Sequence, residues 1–131
     1  MDIKELEQQF HGTTLPKLVE KHLKQQTPER LIEAVKGTYH NFPVDQRPII
    51  DEFTENYMEN WFDLKIVDSD LGDIFSKTIT DITNWSNMEN LSLNDERAFD
   101  IFNIMVMKLA HLAHNSPKFR KMIGVKKGWF S

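Results

Sequence analysis

The chain has 131 residues, enough for one domain around a single hydrophobic core, and its 40% hydrophobic content with nine Phe and three Trp argues against general disorder. Cysteine is absent, which removes disulfides, thiol nucleophiles and thiolate metal sites. The formal charge of −4 hides a split: residues 1–44 balance six acids with six bases, residues 45–100 hold fourteen acids against four bases, and residues 101–131 hold six bases and no acid. Such asymmetry speaks to partners rather than to fold.

The opening "MDIKELEQQF" carries Asp2, Glu5 and Glu7 and no apolar signal segment. No apolar run approaches the ~20 residues of a membrane span, so a soluble, cytoplasmic protein is expected. Ile3, Leu6 and Phe10 predict a short helix that stops near Gly12. Thr13 or Thr14 can cap the next helix, with Pro16 in its first turn and Leu15, Leu18, Val19, His22 and Leu23 forming a buried stripe. Thr27-Pro28-Glu29 is a start signal of cap, proline and acid, and Leu31, Val35, Tyr39 and Phe42 continue that helix to Pro43.

From Asp45 to Leu64 the pattern is clearly amphipathic. Ile50, Phe53, Tyr57, Trp61 and Leu64 share one face, and Glu52, Glu55, Glu59 and Asp63 line the opposite one. Asp68 or Asp70 then caps a helix with Leu71, Ile74, Phe75, Thr78, Ile82 and Trp85 inward. Its β-branched "TITDIT" leaves a strand open as the alternative, but the 3–4 spacing favours a helix. Ser92-Leu93-Asn94-Asp95 approximates a capping box before the most apolar segment, about 94–114. Ser116-Pro117 starts a last short helix that Gly124 ends. The expected fold is therefore all-α: one domain, 1–131, a bundle of six or seven short helices around a nearly all-apolar central one, with a basic aromatic tail over 118–131.

Four constellations are candidates for chemistry. Glu52, Glu55, Glu59 and Asp63 repel one another with no lysine on their face, and a solvated or cation-docking surface is expected. A di-metal site would need Glu-x-x-His on an inward face, and none occurs. On the central helix Asp100, Asn103, Met107, His111 and His114 fall in a stripe about 80° wide. It is a candidate pocket, with His111 and His114 as a weak metal pair short of the three or four ligands zinc requires. "DSDLGD" at 68–73 fails the calcium-loop pattern, with Asp73 where glycine and Ile79 where glutamate is needed. No nucleophile motif or glycine-rich phosphate loop is present.

The tail "KFRKMIGVKKGWFS" offers Lys126, Lys127, Trp129 and Phe130. Burying the two aromatics removes ~150–250 Å² each from water, a stronger drive than an exposed ion pair at ~0–1 kcal/mol. The expected reading is a non-enzymatic protein–protein interaction or regulatory module without cofactors, self-associating or partner-binding through its acidic face and its tail. A ligand- or metal-binding bundle using the polar stripe is the alternative. Weak nucleic-acid or anionic-surface binding by the carboxyl-terminal cations comes third, opposed by the acidic middle of the chain.

Overall fold

The computed structural model describes residues 2–63 and 69–122, leaving aside the side chains of 62, 63 and 122. These residues form one all-helical bundle without strands: α1 Ile3–Phe10, α2 Leu15–Gln25, α3 Pro28–Tyr39, α4 Arg47–Asp63, α5 Leu71–Met88, α6 Asp95–Asn115 and α7 Pro117–Met122. Six of the seven helices, all but α4, begin where the sequence supplies a side-chain acceptor for the first free N–H groups. Asp2, Thr14, Thr27, Asp70 and Asn94 accept from the backbone N–H of Lys4, Lys17, Arg30, Asp73 and Arg97. Ser116 Oγ does the same for α7 through Phe119 N–H at 3.0 Å.

Three boundaries differ from the sequence expectation. α3 stops at Tyr39 rather than Phe42, because Arg47 Nε donates to the carbonyls of both Tyr39 and Phe42 and the chain turns there. A 3-10 turn at Val44–Gln46 then precedes α4, which starts two residues later than Asp45. α6 is capped by Asn94, not Ser92: the helix begins at Asp95, so a box anchored on Ser92 falls outside the first turn. The "TITDIT" segment is helical, with Thr78, Ile79 and Ile82 buried. α5 closes in a Schellman arrangement, in which Asn90 takes φ 58° and Leu91 N–H donates to Ser86 O at 2.8 Å.

α6 occupies the centre, packed against α2, α3, α4, α5 and α7. Ala98, Ile101, Phe102, Ile104, Met105, Val106, Leu109, Ala110 and Ala113 of this helix are all buried. A helix this apolar around its circumference is stable only with neighbours on most sides. Phe102 anchors an aromatic cluster, with ring centroids 4.9 Å from Phe75, 5.9 Å from Phe10 and 6.1 Å from Trp61. The expected apolar face of α4 also points inward, with Ile50 and Trp61 buried and Phe53 and Tyr57 half-buried. Leu64 lies outside the described residues. No described helix is long and apolar enough to cross a membrane.

Candidate interaction surface

Glu52, Glu55 and Glu59 stand exposed along α4, as their spacing requires. The side chain of Asp63 lies outside the described residues, as do Lys126, Lys127, Trp129 and Phe130. The expectation that no lysine meets this face is corrected by Lys108 of α6. Its Nζ is 2.6 Å from Asp51 Oδ1, 2.9 Å from Glu55 Oε1 and 2.9 Å from Thr54 Oγ1. It also lies 5.7 Å from the Tyr39 ring centroid, within cation–π range. Tyr39 in turn donates its hydroxyl to Asp51 at 2.8 Å.

This cluster joins three helices through one cation whose side chain is only 16% exposed. Burial lowers the Lys108 pKa, but hydrogen bonds to Asp51 and Glu55 outweigh it and hold the ammonium above its ordinary range. Burial likewise disfavours the Asp51 carboxylate, and the bonds from Lys108 and Tyr39 overcome that and lower its pKa. The Tyr39 phenol is raised, first by burial and then by Asp51. Lys108 and Tyr39 were not among the sequence candidates. A single lysine inside an otherwise apolar stretch, between Met107 and Leu109, was the available signal.

Beside this cluster a groove of about 350 Å³ runs between α3, α4 and α6. Val35 and Met58 line it, and its lips are Ile32 and Leu112, 39% and 44% exposed. Across α4 a second groove of about 300 Å³ carries Tyr57 and Glu52, with Phe53 stacked on Trp85 at 4.2 Å. Glu55 faces the first groove and Glu52 the second, so the acids of α4 form a ridge between two partly apolar hollows. Among the described residues, Glu52 and Glu59 have no ion-pair partner.

The polar stripe of α6 is spread over separate partners. Asp100 pairs with Arg97 and accepts from Asn41 Nδ2 at 3.2 Å, tying α6 to the loop after α3. Met107 is buried in the core, and Asn103 is half-buried. His114 Nε2 is 2.9 Å from Gln26 O, meeting a carbonyl at the end of α2, whereas His111 Nε2 is 3.3 Å from Asn115 Nδ2. Of the five residues, only His111 lines the α3/α4/α6 groove.

A different trio is the only group of three metal-capable ligands among the described residues: His11, Asp70 and Asp73, with ligand atoms within 4.8 Å of one another. Asp70 is fully engaged there. Its Oδ1 accepts from Gly12 N–H at 2.6 Å, and its Oδ2 meets His11 Nδ1 at 2.6 Å and Asp73 N–H at 3.2 Å. The positive end of α5 also disfavours a cation at this place. The trio works as a clasp between α1 and α5: a Cβ on Gly72 would come within 2.3 Å of the His11 ring, so the approach depends on glycine. Leu71 N–H donates to Thr13 O at 2.8 Å beside it.

Comparison with protein-family models, with curated proteins and with solved structures gives no match to this chain.

Proposed function

We propose that the chain is a non-enzymatic protein-interaction or regulatory module. Its α3/α4/α6 groove and the acidic ridge of α4 receive a short basic segment carrying aromatic anchors. The observation that carries this reading is the placing of the half-exposed Ile32 and Leu112 beside Glu55. A partly apolar hollow beside the α4 ridge, where Glu52 and Glu59 have no ion-pair partner among the described residues, favours a ligand that is apolar at its tip and cationic alongside. Lys126, Lys127, Trp129 and Phe130 have that composition, so self-association is one use of the surface. Phosphate polymers and anionic lipids fit poorly, since the exposed carboxylates of the ridge repel them.

The test is a fluorescent peptide of residues 124–131 titrated into the full chain carrying Trp129→Ala and Phe130→Ala. Saturable binding on the order of 100 µM is expected, weakened by added salt and by Glu59→Lys and lost with Ile32→Asp. No binding, or equal binding to the Ile32→Asp protein, removes the module reading.

A further inference from the structure

We infer that residues 125–130 of this chain, Val125 to Phe130, are the intramolecular occupant of the α3/α4/α6 groove, covering it until a partner segment of the same chemistry displaces them. The inference rests on the module reading above and adds the element that regulates it.

Chemistry is the first support. The groove has an apolar floor and lips, and at about 350 Å³ it is near the small end of the ~300–1,000 Å³ typical of binding pockets. It suits one or two anchoring side chains rather than a whole helix. Its own cations are already matched: Lys36 lies 3.9 Å from Glu33, and Lys108 is held by Asp51 and Glu55. Among the described residues the charge nearby without an ion-pair partner is the carboxylate of Glu59, one helical turn beyond Glu55. Trp129 and Phe130 supply anchors, while Lys126 and Lys127 supply the opposite charge.

Reach is the second support. Leu112 on the lip is in the last turn of α6, and α7 ends at Met122. Helical residues rise 1.5 Å and extended ones about 3.5 Å, so Leu112 and Met122 are no more than about 20 Å apart. The seven residues from Met122 to Trp129 can span about 25 Å. The tether is thus long enough for Trp129 to reach the lip while α7 keeps its seat, where Phe119 packs on the core and Arg120 donates to the carbonyls of Ala113 and His114. A short tether gives a local concentration on the order of 1 mM. A segment binding at roughly 100 µM would then cover the groove about nine-tenths of the time.

The cysteine-free sequence provides the experiment. In the full chain, Leu112→Cys and Gly128→Cys are oxidised at low protein concentration, and closure of the intramolecular disulfide is timed. Trp129→Ala with Phe130→Ala in the same cysteine pair is expected to slow closure at least tenfold, as is an excess of the free 124–131 peptide. Melting curves of both proteins verify that the bundle is intact. Closure at a rate indifferent to the anchors, a disulfide formed only between chains, or no closure overturns the inference. The module reading stands or falls separately, on the peptide titration.

Discussion

His11 and Asp70 fasten α1 to the start of α5, and their ionisation gives that clasp a defined pH window. The Asp70 hydrogen bond is the main cause that raises the His11 pKa above 6.5. The protonated imidazole therefore favours the folded state, a contribution present below pH 6.5 and lost as pH rises through the raised value. Asp70, lowered first by the Gly12 N–H and then by His11, contributes stability above pH 3.8 that is lost as pH falls through its folded value. His22 runs against His11, since burial lowers it and its share is lost as pH falls below 6.5. The informative readout is therefore the site itself. Asp70→Asn preserves an N-cap for α5, and the His11 midpoint measured by NMR is expected to fall towards 6.5; an unmoved midpoint would contradict the assignment. Lys108 gives a second prediction at this scale. Lys108→Met retains apolar packing but strips two carboxylates of their shared cation. Because Asp51 and Glu55 are exposed and can rehydrate, the loss is expected to be about 1–2 kcal/mol, read as a lower urea midpoint at unchanged m-value.

Among the elements, α6 offers the sharpest contrast between neighbouring polar residues. Asn94→Ala is expected to cost about 1 kcal/mol, because it frees the Arg97 N–H, whereas Ser92→Ala stays within ~0.5 kcal/mol. Thermal unfolding of the two variants separates them. Helix existence and type were legible because each apolar stripe repeats at 3–4 residues and most starts carry a Thr, Asp or Asn. What misled at 92–95 is that two capping residues stand two positions apart, and only the backbone path selects between them. Likewise Phe42 was read as helical on its apolar phase, and it is indeed buried, but it reaches the core from a turn. Local pattern records that a side chain is wanted inside, not the backbone that delivers it. The contacts of the candidate surface were hidden for another reason. Lys108 meets Asp51 across 57 positions and His11 meets Asp70 across 59, so no window of a few turns contains either pair.

In the whole molecule the acidic ridge was legible as a stripe, while the two hollows beside it were not, since each is made by helices that meet only in three dimensions. The half-exposed Ile32 and Leu112 belong to different helices, and each alone resembles ordinary surface. Together they form the lips on which the proposed function rests. The central position of α6 has a consequence for motion. Opening α6 requires parting it from five other helices, whereas α1 packs mainly on α5 and α7 on α6. Deuterium should therefore enter the amides of Ile101–Ala110 only through global unfolding, with a urea dependence equal to that of the entire chain. Amides of α1 and α7 should exchange through smaller, nearly denaturant-independent openings. The bundle would then come apart from its two ends while its middle still holds.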